Sequence, residues 1–283
     1  MISIIICSRT QKVDGNLLIN IKNTIGSIYE LIIIDNSENR YSIFEAYNLG
    51  IDKSIGEYLC FIHDDILFQT QSWGGVLHKI FDENPNIGLI GVAGSKIKTK
   101  MPSAWWDTPQ DCNSTHIIQH HKNKVKKLHN EGFNFEENVK VVVVDGVFMV
   151  LRKDNRIRFS TKLKGFHTYD LNLCFECKKI GYDIIVTNQI LLEHFSSGEI
   201  NEEWVKSSFK LHKIYKNQLP LNIVDRKVSL ENEIINAQRF INKSLNLGLK
   251  KIAIIIWFKL FLIAPIAKYN LRFWKKIIKD ELC

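Results

Sequence analysis

No Gly-x-Gly-x-x-Gly follows the first apolar run of this chain, and no Gly-x-x-x-x-Gly-Lys-Ser/Thr occurs anywhere in its 283 residues. The first absence argues against a dinucleotide-dependent dehydrogenase and the second against a P-loop enzyme, since both chemistries press glycine-lined backbone against phosphates. Cysteine is sparse, with six residues and no metal set. Cys174 and Cys177 stand at Cys-x-x-Cys spacing, but no second pair or His pair completes a zinc site. Cys7 and Cys60 lie in or beside apolar runs and read as small buried residues. Met1 leads straight into an apolar run without the basic, apolar and small-residue succession of a signal peptide. With no evident disulfide framework either, a reducing, cytoplasmic setting is expected. The net charge of +8 is modest, and its lysines lack the regular aromatic interleaving of a single-strand groove, so nucleic acid is not an expected partner.

What is present is an alternation of apolar runs and amphipathic stretches in a sequence 45% hydrophobic and 24% charged, as in a globular domain. Ile2-Ser3-Ile4-Ile5-Ile6, Glu30-Leu31-Ile32-Ile33-Ile34, Glu57-Tyr58-Leu59-Cys60-Phe61-Ile62 and Ile87-Gly88-Leu89-Ile90 read as strands buried on both faces. Between them, helical spacing begins after Asp14, near Ser42 and near Ser72. Strand alternating with helix predicts a mostly parallel α/β sheet, with ligands at the carboxyl ends of the strands. The polar groups fall at those ends: Ser8, Arg9 and Thr10, then Asp35-Asn36-Ser37, then His63-Asp64-Asp65. Hydroxyls, an arginine, a carboxylate and an amide suit a base and ribose better than a naked triphosphate. Adjacent carboxylates at a strand end repel unless a cation or donor groups neutralise them, so Asp64 and Asp65 are either a cation or ligand site or a capped turn.

From Gly94 to about Lys140 the sequence is polar. His116, His120, His121 and His129 match no zinc spacing, and with Lys122, Lys124, Lys126 and Lys127 they read as a solvated basic loop. Trp105 and Trp106 either pack that loop onto the sheet or form a flat platform for a sugar. Asp145-Gly146 interrupts a long valine-rich run, which predicts a bulge or close backbone approach beside a cleft, or a plain turn. Gly165-Phe166-His167-Thr168-Tyr169-Asp170 precedes a helix that Gly181 ends, so Asp170 read alone is a helix cap. His194 emerges from an apolar context, where a satisfied core histidine is the plain alternative.

In order and spacing, Asp35-Asn36-Ser37, Asn48-Leu49-Gly50, Gly56-Glu57-Tyr58, His63-Asp64-Asp65, Asp145-Gly146, the Gly165 to Asp170 motif, Gly181-Tyr182 and His194 together resemble the family 2 glycosyltransferases. The resemblance covers about 200 residues, judged from the motif positions. It implies a single nucleotide-diphospho-sugar transferase (GT-A type) α/β domain over residues 1–200, with a nucleotide-sugar half at 1–95 and an acceptor half at 96–200. Residues 201–283 are expected to form a helical extension. The implied activity is metal-dependent transfer of one sugar, with inversion, from a nucleotide sugar to a glycan or lipid-linked glycan. The Gln-x-x-Arg-Trp motif of processive synthases is absent, which favours single addition. By the resemblance, Asp65 holds Mn²⁺ or Mg²⁺ with His194 as a further ligand, and Asp64, Asp35, Ser8, Arg9 and Asn48 contact the nucleotide sugar. Asp170 is then the catalytic base, and Trp105, Trp106, Asp145, Gly146, His167 and Tyr169 face the acceptor. His63 replaces the usual acidic residue and is expected to hold the loop rather than the metal. The rival reading is a catalytically inactive sugar- or nucleotide-binding module of the same fold, against which the joint presence of Asp64, Asp65 and Asp170 argues.

The run 252–264 is apolar nearly all round, but a spanning helix needs about 20 apolar residues, and Lys259 and Pro265 make this a poor one. With Trp257, Trp274, Arg272, Lys275, Lys276 and Lys279 it fits a basic helix lying in a membrane surface, and the alternative is packing against the domain or a partner subunit. A peripheral position on the inner face of the membrane follows from the first of these.

Overall fold

The computed structural model describes residues 1–121, 125–196, 198–224 and 226–279; Lys122, Lys124 and Cys283 lie outside the described residues, as do the side chains of Lys276 and Lys279. Strand β1 (Ile2–Ser8) leads to helix α1 (Gly15–Thr24), β2 (Tyr29–Asp35), α2 (Ile43–Lys53), β3 (Tyr58–Ile62), β4 (Ile66–Phe68), α3 (Trp73–Glu83) and β5 (Ile87–Gly91). Helix α1 begins where Asp14 accepts from the Asn16 amide, and α2 begins with a reciprocal box between Ser42 and Glu45. Short strands β6 (Ala93–Ser95), β7 (Ile97–Lys98), β8 (Asn113–His120), β9 (Lys126–Glu131), β10 (Asn138–Val141) and β11 (Val143–Val144) follow. Then come β12 (Phe148–Arg152), α4 (Tyr169–Ile180), β13 (Asp183–Thr187) and β14 (Leu192–His194). The chain continues through α5 (Glu202–Ile214), β15 (Leu221–Asn222), α6 (Arg226–Asn246), α7 (Lys250–Ile263) and α8 (Lys268–Lys279).

The main sheet runs β10-β13-β5-β12-β3-β1-β2, with β10 and β12 antiparallel to the other strands. The period-two alternation of its strands separates two cores. Ile5, Leu59, Phe61, Leu89 and Met149 pack against α2 and α4, while Ile4, Cys60, Ile62, Ile90 and Val150 pack against α1 and α3. The α/β class and the mostly parallel sheet follow the sequence expectation. A second sheet, β11-β6-β8-β14-β4 with β9 on β8, crosses the carboxyl ends of the first.

That second sheet corrects the reading of the stretch around His116 to His129 as a solvated basic loop. His116 and His120 lie on β8 and His129 on β9, paired as an antiparallel hairpin. His120 Nε2 is 2.6 Å from Glu193 Oε1, so this histidine is held rather than freely solvated. The strand forms because β6 and β14 supply ladder partners on either side, pairings that local polarity does not reveal. Cys174 and Cys177 are buried free thiols of α4, and Cys174 Sγ accepts from the Val144 amide.

The extension forms a third core, in which Trp204 and Val205 of α5, Ala237, Phe240 and Ile241 of α6, and Ala253, Ile256 and Leu260 of α7 meet. Among the described residues no helix is long and apolar enough to cross a membrane.

Candidate active site

The carboxyl ends of β1 and β3 open onto a cleft of about 320 Å³. On one side stand Arg9, His63, Asp64 and Asp65; on the other are Trp105, Trp106, Asp145 and Gly146, with His167, Tyr169 and Asp170 along the floor. Ten of the residues expected to form a site therefore share one cavity: Arg9, Asp64, Asp65, Trp105, Trp106, Asp145, Gly146, His167, Tyr169 and Asp170.

β3 delivers His63 and Asp65 to the cleft, and β14, antiparallel to β4, brings His194 opposite Ile66. His63 Nδ1 and His194 Nε2 face one another at 3.3 Å. Asp65 Oδ1 lies 3.5 Å from His194 Nε2 and 3.8 Å from His63 Nδ1. That oxygen is buried and has no hydrogen-bond partner. The three ligand atoms fall within 4.8 Å of one another. Two imidazole nitrogens and an orphaned carboxylate oxygen converging on one point fit a divalent cation. Burial alone would raise the Asp65 carboxyl, but His194, Ser196 and His63 outweigh it and hold the group well below the usual carboxylate range. Burial and the neighbouring His194 keep His63 below the ordinary imidazole value, and so on the neutral, metal-binding side.

The expectation that His63 stays off the cation position is thus reversed in geometry. Its other nitrogen, Nε2, lies 2.6 Å from the Tyr169 hydroxyl, which turns the ring so that Nδ1 faces Asp65 and His194. Tyr169 also lines the cleft, so the same side chain borders the cavity and orients the His63 ring. Gly146 lets it do so: a Cβ there would sit 2.3 Å from the Tyr169 hydroxyl oxygen.

Asp64 turns the other way. Its carboxylate accepts from the Arg9 backbone and guanidinium, both at 3.1 Å, and Arg9 also lies 3.6 Å from Asp65. Asp64 therefore tethers the first loop, and the exposed Arg9 spans both carboxylates at the cleft mouth.

Asp170 lies in the first turn of α4, which follows Thr168 in a left-handed conformation. Burial, then the nearby charge of Asp145, push its carboxyl up to about 7. Asp145 is fixed by the Val147 amide at 2.7 Å and by the Trp105 indole N–H. A carboxyl balanced near neutrality at a cleft floor is suited to take a proton and pass it on.

Three expected donor contacts lie elsewhere. The side chain of Asn48 is fully used on the backbone of Phe159, donating to its carbonyl at 2.9 Å and accepting from its amide at 3.0 Å. It pins α2 to the 153–168 segment, and it does not line the cavity. Ser8 is fully buried and donates to the Thr10 carbonyl, shaping the first loop from within. Asp35 caps the exposed end of β2 by accepting from Ser37 and does not line the cavity. Several lining residues are absent from the sequence expectation, among them Tyr47, Ser196 and Trp204, the last brought in by α5 from the extension. Its Asn201 cap, accepting from the Trp204 amide, was the one local signal that a helix starts there.

A family model described as "Glycosyltransferase like family" matches residues 3–220. No curated protein sequence matches the chain. Among solved structures, S. aureus TarS 1–349 in complex with UDP-GlcNAc superposes with a TM-score of 0.50 at 13% identity, covering 87% of this chain and 72% of the 1–349 chain. GalNAc-T7 with UDP, GalNAc and Mn²⁺ gives a TM-score of 0.52 at 9% identity, covering 95% of this chain and 57% of that one. At these identities the likeness is one of fold. With the family match over most of its length, the chain belongs to the glycosyltransferase-like family and is a glycosyltransferase built on a GT-A type α/β domain.

Proposed function

We propose that this protein transfers a single sugar, with inversion, from a uridine-diphosphate sugar to a hydroxyl of a glycan or lipid-linked glycan, using a divalent cation held by His63, Asp65 and His194. One observation carries the reading: His63 and Asp65, two members of a three-ligand cluster with His194, line the same cleft as a carboxyl raised to about 7. Bound there, Mn²⁺ or Mg²⁺ supplies positive charge to a departing diphosphate. Arg9, exposed beside Asp64 and Asp65, adds a guanidinium at the same mouth. Asp170 accepts the proton of the attacking hydroxyl, and Asp145 keeps its basicity high enough to do so. Tyr169 holds the His63 ring in register, and Trp105 and Trp106 give the acceptor side a flat apolar face.

A lipid-linked acceptor would be met at helices α7 and α8. Ile255, Phe258, Leu262 and Ile266 are exposed there by 45%, 56%, 66% and 96%. Neither helix carries an acidic residue, while Lys250, Lys251, Lys268, Arg272 and Lys275 surround the patch. Apolar side chains ringed by cations suit the surface of an anionic bilayer.

The test is turnover of a panel of uridine-diphosphate sugars with and without Mn²⁺. Asp65→Ala should lose metal-dependent UDP binding, whereas Asp170→Asn should keep it and lose transfer by about 10²- to 10⁴-fold. Undiminished turnover in excess chelator would refute the metal role, and full transfer by Asp170→Asn would refute the base.

A further inference from the structure

We propose that Glu233, on helix α6, is the positioning residue for the acceptor wall of the cleft, and that this wall takes carbohydrate by stacking on its tryptophans. The inference rests on the transferase reading. Helix α6 lies beyond the span matched by the family model, which ends at residue 220. Yet one face of it grips the loop 99–107 from end to end. Both oxygens of the buried Glu233 accept backbone amides of that loop, those of Lys100 and Met101, the latter at 2.8 Å. Asn236 donates to Thr99 Oγ1 at 3.0 Å, and Asn232 donates to the Asp107 carbonyl at 3.2 Å. Arg239 and Lys243 each stand 3.7 Å from the Asp107 carboxylate. Residues 232, 233, 236, 239 and 243 recur at helical spacing, so a single side of α6 makes all these contacts. Inside the loop the buried Lys98 donates to the Ser103 carbonyl at 2.8 Å.

The loop so held carries Trp105 and Trp106, packed edge to face with centroids 5.5 Å apart. Trp204 joins them in the cleft wall, with the Lys243 ammonium 5.0 Å from its ring centre. Trp105 and Trp106 line the same cleft as Asp170 and offer flat apolar faces with polar edges, the surface that the C–H face of a pyranose fits, while Trp204 is buried in the helical core. Glu233 reaches no reacting atom. It accepts from the buried Met101 amide and the partly buried Lys100 amide, and the loop conformation depends on them.

The experiment uses the full chain with Glu233→Ala, Glu233→Gln and, as a control on the exposed side of the same helix, Glu231→Gln. Amide exchange at Lys100 and Met101 reads the grip directly, and Mn²⁺-dependent UDP binding reads the donor side. Hydrolysis of uridine-diphosphate sugars by water and transfer to a panel of p-nitrophenyl glycosides separate donor from acceptor handling. Glu233→Ala should speed exchange at both amides and raise the KM for the glycosides by at least about tenfold, with UDP binding and hydrolysis within about twofold of wild type. Glu233→Gln, which keeps one accepting oxygen, should fall between, and Glu231→Gln should match wild type. An unchanged glycoside KM in folded Glu233→Ala, or an equal loss of UDP binding and hydrolysis, would overturn the proposal. Should Glu233→Ala fail to fold, Trp106→Ala on the exposed rim serves: glycoside KM should rise alone, and no change overturns the stacking role. A wild-type protein that neither binds UDP nor hydrolyses its sugars would refute the transferase reading instead, while exchange at Lys100 and Met101 still decides the grip.

Discussion

Replacing Asp170 with asparagine should stabilise the protein at pH 8 while removing transfer. The carboxyl rises from 3.8 to about 7 on folding, because burial and the Asp145 charge disfavour its ionised form. A group whose folded pKa exceeds its unfolded value binds its proton more tightly in the native state. Its ionisation therefore costs stability as pH climbs from about 4 to about 7, and the full cost is present above that. A rise of about three units corresponds to about 4 kcal/mol. This is an upper bound, since asparagine also removes the attraction between Asp170 and Lys98. Even half of it would shift the melting temperature by several degrees in a chain of this size. Denaturant melts of the wild type and Asp170→Asn at pH 5 and pH 8 are the assay. The variant should gain most at pH 8 and little at pH 5. A gain independent of pH, or a less stable variant at pH 8, would refute the view that a strained carboxylate is kept at the cleft floor for chemistry.

Other outcomes follow from the same geometry. Transfer should rise with pH through about 7 as Asp170 ionises, and a profile flat from pH 5 to 9 would show that another group takes the proton. Saturating Mn²⁺ should raise the thermal stability of the wild type, by about 2.7 kcal/mol at a hundredfold excess over Kd; His63→Ala and His194→Ala should each lose that gain, and an undiminished gain in His63→Ala would remove it from the ligand set. Asn48→Ala should cost about 1–3 kcal/mol by stranding the Phe159 amide and leave UDP affinity unchanged, so a selective loss of UDP binding would restore it to the donor site. Ile255→Glu with Phe258→Glu should abolish flotation with phosphatidylglycerol vesicles and spare fluorescence-detected folding; equal flotation would dismiss this face as a membrane contact.

The polar residues at strand ends were legible because an apolar run that stops at a carboxylate pair has few other uses in a parallel sheet. Asp64 and Asp65 could be named that way, whereas Asp170, at a helix start, was named only through the family resemblance. The sequence did not show which way each would turn. Asp64 faces Arg9 and Asp65 faces two histidines, although the two are neighbours in the chain and chemically identical. The inclusion of His63 depends on Tyr169, 106 residues away, whose hydroxyl sets the ring. Asn48 shows the reverse case: an amide in the right motif is consumed by a backbone that only the fold brings near.

Local pattern by itself determined the strand and helix alternation, the two-sided core, the caps at Asp14 and Ser42 and the position of the cleft at the strand ends. Each of these depends on residues a few positions apart, where periodicity and capping chemistry act. Tertiary structure alone decided the β8–β9 hairpin, the convergence of His63, Asp65 and His194, the elevated Asp170 carboxyl and the grip of α6 on the 99–107 loop. Those arise from pairings between residues far apart in the chain, as between His63 and Tyr169 or Thr99 and Asn236. Over such separations a side chain's partner, burial and charge are set by packing, which no local spacing encodes.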